Sequence, residues 1–468
     1  MTSDGVRTKP ARLHRLSRRA WLRAVVGAFG ASAATSFLAC ASPRDGEATE
    51  SVTRAGRFEP APPATTPAPA VKNLATLRFW TQWSGHTRQV WESLIGEFEQ
   101  AHPSIAIASS FFSLADLQRS VFSAAATRTL PDLWINAAMV PPELILDGDV
   151  ASLNSLGPVP TDFYPAANPA SVRAGQRWAV PNNGGVPVFW YNVDRFQVVG
   201  LDPNAPPRTW DDLLQYGKAL TDARDDIWGL IVPDRHYPWT TECWYGFLLQ
   251  AGGDLFAPDQ RTITFADQPG VEALTFWASL FQTQKTAPLQ TFDADTLIST
   301  YGTGTIGMFP MYSVEAAHIK SFPFPTRNTP YPTFRRQGAH FAGDYTTISA
   351  KSRLASEAYT WCAWWWQPEI NAAWCAGTGG LPSRVSSTNY PMYQKFLARE
   401  PLIKASLDSL PFARALPSIP GILEIEQRLS ESIYAACFGY KSPKQALDDA
   451  VPAVYSVLVR HDSFGHWA

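Results

Sequence analysis

From Ala75 to Ala138 the chain reads strand, helix, strand, helix, strand, and no other feature narrows its possible folds as far. "ATLRFWTQW" (75–83) has the alternation and ring content of a strand. "TRQVWESLIGEFEQAHP" (87–103) then sets Val90, Leu94 and Phe98 at helical spacing, with Trp91 and Ile95 beside them, and Pro103 ends the run. "SIAIASSFF", "LADLQRSVFSAAATR" and "PDLWINAA" repeat the cycle. That rhythm predicts an α/β fold with a parallel sheet, because parallel neighbours need a crossover helix between them. Trp80 is expected to point inward from its strand.

The same periodicity continues downstream. "RWAVPNNGGVPVFWYNVDRF" reads as two extended runs around an Asn-Gly-Gly bend. "PPRTWDDLLQYGKALT" opens a helix, with Thr209 as N-cap and Asp212 three residues on. Further helices are predicted at 239–251, 269–282, 293–301, 353–376 and 420–459. Trp361, Trp364 and Trp365 fall at i, i+3 and i+4 and read as core.

Ahead of this lies an export address. Arg7, Lys9, Arg12, Arg15, Arg18, Arg19 and Arg23 precede a fifteen-residue apolar run, Ala24–Leu38, against the single acid Asp4. Such a run is too short to span a bilayer but suits a signal peptide. Arg18-Arg19 resembles a twin-arginine signature, and "FLAC" (Phe37–Cys40) resembles a lipobox, which implies lipidation at Cys40. Residues 41–73, with "EPAPPATTPAPAV", cannot bury enough apolar surface to fold and read as a disordered tether.

Without residues 1–40 the chain carries 32 basic and 40 acidic side chains. That balance argues against nucleic acid, which needs a basic stripe. About 395 residues beyond the tether are too many for one core and suggest two lobes. Cys243, Cys362, Cys375 and Cys437 show no zinc-like spacing; disulfides and buried thiols are equally open.

Several blocks, in order, resemble the carbohydrate-binding family of extracellular solute-binding proteins of ABC importers. They are "FEQAHPSI" (98–105), "LPDLW" (130–134), "WAVPNNGGVPVFWYNVDRFQVVGLD" (178–202) followed by "PPRTWDDLL", "GGDLF" (252–256), "GTGTIGMF" (302–309), "GDYTTISAKS" (343–352) and "GGLPSR" (379–384). The resemblance runs from about 76 to about 460. It implies a two-lobed, type II periplasmic-binding-protein-like fold with a ligand cleft and about three hinge crossings. Lobe 1 is then expected at 74–184 plus about 330–367, and lobe 2 at 187–328 plus about 370–468. The implied protein is a monomeric, non-enzymatic receptor with no cofactor and no metal. It is exported, held by a lipid on Cys40 on the outer face of the cell membrane or on a periplasm-facing membrane, and serves an ABC permease.

Ligands in open α/β sheets sit beyond the carboxyl ends of the strands. The candidates at those ends are Trp83, Ser84, Asn136, Asn182, Asn183 and Gly185, with Asp344 on the same lobe. From the other lobe come Trp239, Glu242, Trp244 and Tyr312, while Gly379 and Gly380 would allow close backbone approach. A pyranose presents an apolar face for indole or phenol and hydroxyls for Asn, Asp and Glu. Plainer roles stand beside these: a turn for Asn182-Asn183, a helix-start acid for Glu242, packing for Tyr312.

"GTGTIG" (302–307) fits G-x-G-x-x-G, but a helical stretch precedes it and a strand follows, the reverse of a dinucleotide site. His461 and His466 lack partners for a metal. Asp211-Asp212, Asp225-Asp226 and Asp448-Asp449 are neighbours that a helix splays apart. The alternatives are an exported carbohydrate-active enzyme of the glycoside hydrolase class, for which Glu242 and Asp344 are the nominated carboxyls, and a binding protein for a non-sugar solute.

Overall fold

The computed structural model describes residues 75–233, 239–290, 292 and 294–463; the export signal, Cys40, the tether and His466 lie outside them. The first strand, β1 (Ala75–Thr81), buries Leu77 and Phe79 and exposes Thr76 and Arg78. Trp80 therefore falls on the outer face. It is half-buried against Phe112, ring centroids 5.1 Å apart, rather than pointing inward, since the two-residue period groups it with 76 and 78. Helix α1 (Gly85–Ala101) buries Trp91, Leu94 and Phe98. Strand β2 (Ile105–Phe111) pairs parallel with β1, Ala75 to Ile105 through Thr81 to Phe111. Helix α2 (Leu114–Thr127) leads to β3 (Leu133–Ala137), almost wholly buried and parallel to β1.

After this the chain leaves the sheet. The short strand β4 (Val180–Pro181) and the buried β5 (Pro187–Asn192) belong to different sheets, so the stretch expected to bend is a crossing. Helix α3 (Trp210–Leu220) starts with a complete capping box between Thr209 and Asp212. Strand β6 (Trp228–Leu230), helices α4 (Trp239–Gln250), α5 (Gln268–Gln282) and α6 (Ala294–Gly302), and strands β7 (Ile306–Tyr312) and β8 (Thr326–Thr329) follow. The glycine motif at 302–307 thus joins a helix to a strand.

Strand β9 (Asp344–Ile348) returns to the first sheet, antiparallel to both β3 and β4. The first sheet runs β2-β1-β3-β9-β4 and the second β8-β5-β7-β6. Both are mixed: β5 is antiparallel to β7 and β8, and only β6 runs parallel to β7.

The expected helix at 353–376 is broken by Pro368 into α7 (Ala355–Trp365) and α8 (Pro368–Thr378). That at 420–459 is broken near Gly439 into α9 (Ile422–Cys437) and α10 (Pro443–Ser463). Trp361, Trp364 and Trp365 are buried beside Phe98 and Trp91. Among the described residues the four cysteines, Cys243, Cys362, Cys375 and Cys437, are free buried thiols. Among the described residues no helix is long and apolar enough to cross a membrane.

Two segments pack away from the lobe expected for them. Helix α8 lies against α1, with Trp374 4.4 Å from Trp83, so it accompanies the first sheet. Residues 331–338 accompany the second: Tyr331 stacks edge-on to Phe189, and the Gly338 carbonyl accepts from Gln250 Nε2 at 2.7 Å.

Candidate functional site

The two sheets meet at residues 182–186. Gly184 and Leu381 exchange backbone hydrogen bonds of 2.8 and 2.9 Å, and Gly185 and Ala342 exchange bonds of 2.7 and 3.0 Å. Neither glycine has a positive φ, so no Asn-Gly turn forms. The glycines serve close approach instead. A Cβ on Gly184 would clash with the Phe341 ring, and one on Gly185 would sit 3.0 Å from Tyr312 Cδ1. A Cβ on Gly380 would press on Asn183 at 3.3 Å.

On the first-sheet side, Asp344 opens β9 opposite Ala137, the last residue of β3. Its carboxylate accepts from Gln82 Nε2 at 3.0 Å and Trp83 Nε1 at 3.1 Å, and its backbone N–H donates to Asn183 Oδ1 at 3.1 Å. Burial pushes the Asp344 carboxyl upward and these bonds oppose it. Trp83 is only 5% exposed, walled by Trp91, Trp365 and Trp374. Ser84 beside it is exposed.

Asn136 and Asn182 are tied into the sheet. Asn136 accepts from Trp134 Nε1 and donates to Thr347 Oγ1; Asn182 takes bonds from Thr346 Oγ1 and Asn371 Nδ2. Only Asn182 Nδ2 among their amide groups lacks a partner within the described residues.

On the second-sheet side, Glu242 lies in the first turn of α4 and Tyr312 ends β7. Tyr312 Oη lies 3.1 Å from Glu242 Oε2 and 3.0 Å from His340 Nδ1. One hydroxyl has one proton, so donation to Glu242 leaves the oxygen to accept from Nδ1–H of neutral His340. Burial pushes His340 down to about 3 and Glu242 up to about 7, the latter opposed by the Tyr312 bond. Buried Glu426 on α9 is also raised, by burial and then by the Glu242 charge. Trp239 leans on Tyr312 at 5.1 Å, while Trp244 is fully buried in the core.

Sequence reasoning missed Gln82 and His340. Gln82 adjoins Trp83 at a strand end and was open to the same argument. His340 had no local signal, since the pairing of 339–340 with 413–414 places it. The result is a crossing flanked by two strips, Gln82-Trp83-Asp344-Asn183 and Glu242-Tyr312-His340. Such strips offer neutral hydrogen-bonding groups, weak acids and ring edges to a polar molecule.

Glu242 makes the site's pH dependence testable. A glutamate ordinarily titrates at 4.5, and here at about 7. Between those values the folded state keeps a proton the unfolded chain has lost, so stability falls as pH rises through the window and is level above it. Urea unfolding of wild type and Glu242→Gln across that window should show their difference changing by about 3 kcal/mol. A difference independent of pH would contradict the burial of Glu242.

A family model described as bacterial extracellular solute-binding protein matches residues 93–404. Curated relatives include a probable amino-acid ABC transporter periplasmic-binding protein, y4oP, of Sinorhizobium fredii, 25% identical over 60% of this chain. Another is the sn-glycerol-3-phosphate-binding periplasmic protein UgpB of Yersinia enterocolitica, 22% identical, also over 60% of this chain. The chain spans 64% and 66% of their lengths, respectively. Among solved structures, the cyclic alpha-maltosyl-1,6-maltose binding protein of Arthrobacter globiformis superposes with a TM-score of 0.74 at 23% identity, covering 82% of this chain and 98% of that one. At that identity the superposition shows the fold, which is the type II arrangement of the maltose-binding-like proteins.

Proposed function

The chain belongs to the bacterial extracellular solute-binding proteins, and on that premise we propose that it is the substrate-capturing subunit of an ABC-type importer for a mono- or oligosaccharide. The observation that carries this is the placement of Trp83 and Asp344 on one side of the 182–186 crossing, tied to it through Asn183, and of Tyr312, Glu242 and Trp239 on the other. Ring edges meet the C–H side of a sugar, and the amide and carboxyl groups fix its hydroxyls. The solute closes the halves only by as much as it prefers the closed form. In this reading Cys40 carries the lipid that holds the protein at the outer membrane face, residues 41–73 let it reach its permease, and it works as a monomer.

The solved relative named for a cyclic maltosyl-maltose supports the sugar assignment. The two curated relatives, named for an amino acid and a glycerol phosphate, support the second reading, a small non-sugar solute. Against the hydrolase reading, Glu242 and Asp344 hydrogen-bond to separate partners, Tyr312 and the Gln82–Trp83 pair, whereas a glycosidase needs two carboxyls facing one bond. A thermal-shift panel of saccharides, amino acids and sn-glycerol-3-phosphate decides among the readings. The expected result is a raised melting temperature with a saccharide recovered intact. A rise only with amino acids or glycerol phosphate, or cleavage of the saccharide, overturns it.

A further inference from the structure

The second-sheet strip holds more negative charge than its surroundings answer. Trp239 and Glu242 stand three residues apart at the start of α4, on one face of the helix, and both turn toward Tyr312 at the end of β7. Thr241 between them donates to the Glu426 backbone carbonyl at 2.9 Å, which pins this turn against α9. Glu426 is thereby a second buried carboxyl, close enough to Glu242 for the two charges to oppose each other.

Neither carboxyl is in an ion pair among the described residues. The titratable groups facing them there are Tyr312, Tyr331, His340 and Cys243, and burial holds each of these neutral. Glu426 Oε1 and Trp239 Nε1 have no hydrogen-bond partner among the described residues, although the two residues are only 2% and 5% exposed. A buried carboxylate without a counter-charge is costly, and two side by side are costlier. Such a place favours a ligand that brings the missing cation. An ammonium has three donors and no acceptor, enough for both Glu242 and Glu426 Oε1. The Trp239 and Tyr312 rings are suitable neighbours for a positive charge. The Trp239 indole N–H is then left for an oxygen, which a hydroxyl next to the amine supplies. A plain hydroxyl in the ammonium's place brings one donor and no charge.

We propose that the captured solute is an amino sugar, whose protonated amine seats between Glu242 and Glu426 while an adjacent hydroxyl oxygen accepts from Trp239 Nε1. This rests on the carbohydrate reading above and deepens it, by naming the substituent that the second-sheet strip selects.

The test is calorimetric titration of the full chain at about pH 6.5, where a glutamate raised to about 7 is still mostly protonated. The probes are matched gluco- and galacto-configured mono- and disaccharides, each as the neutral sugar, the amino sugar and its N-acetylated form, with putrescine as a sugar-free amine. The amino member should bind about tenfold more tightly than the other two, the margin of a hydrogen bond to a charged group over a neutral one. A bound ammonium lowers the Glu242 carboxyl, so its proton leaves. Titrations repeated in two buffers of different ionisation enthalpy should therefore show release of roughly half a proton or more per amino sugar and none per neutral sugar. In Glu426→Gln, shown to be folded by its melting curve, the amino-to-neutral ratio should drop to within about threefold. Equal affinity of the amino and neutral members in wild type, or amine binding without proton release, overturns the proposal without any variant and leaves the carbohydrate reading standing. An unchanged ratio in Glu426→Gln overturns it as well. Failure of every sugar to bind, whether or not putrescine does, overturns the proposal together with the carbohydrate reading.

Discussion

Replacing Asp344 by alanine is expected to lower the affinity for the solute about a hundredfold. The carboxylate is the shared acceptor for Gln82 Nε2 and Trp83 Nε1, and its own backbone N–H fixes Asn183. Its removal deprives two donors of their acceptor, and a hydrogen bond to a charged group is worth about 1.5–3 kcal/mol. Losing one such bond's worth of preorganisation is already a factor of about ten to a hundred. Asp344→Asn keeps one acceptor oxygen and should fall between the extremes, near tenfold. Titration with the best saccharide from the panel measures both. Affinities within threefold of wild type in Asp344→Ala would remove Asp344 from the site.

The second large effect lies in the crossing. Gly184 lies against the Phe341 ring, which a Cβ would strike, and both its backbone groups are bonded to Leu381. Neither side can yield cheaply, so Gly184→Ala should cost about 1–3 kcal/mol as an overpacked site and lower the melting temperature by several degrees. Phe341→Ala alone leaves a cavity and should also destabilise, by about 3–5 kcal/mol. The pair is the informative experiment. In the double variant the new methyl occupies space the ring has vacated, so the two costs should fail to add by about 1 kcal/mol or more. Strict additivity would mean that the glycine is there for some reason other than the ring.

How much of this was legible beforehand follows from the range of each interaction. The first five elements were readable because a period of 3.6 or 2.0 is written within a dozen residues, as was the Thr209–Asp212 box. The ordered family blocks supplied the fold class, which periodicity alone left at a parallel α/β sheet. What was not readable depends on partners far along the chain. Asp344 meets Trp83 across 261 positions. Strand β9 inserts between β3 and β4, which no local signal specifies.

The "NNGG" stretch illustrates the difference. Asn-Gly is a favoured bend in isolation, but here two other backbone segments, at 342 and 381, claim its hydrogen bonds and hold it extended. Trp80 failed for a simpler reason. A strand ring reads as core by type, whereas the alternation from Leu77 assigns it to the other face. The lobe expectations at 330 and 370 came from the family pattern. Tyr331 and Trp374 show that packing follows ring contacts, not those boundaries.

The central claim is that two sheet-based halves, joined through 182–186, close on an intact carbohydrate. Small-angle scattering of the protein with and without the saccharide that stabilises it, with the saccharide recovered and sized afterwards, addresses that directly. The account predicts a smaller radius of gyration on binding and a sugar of unchanged length. An unchanged radius at saturation, or shortened sugar, would contradict it.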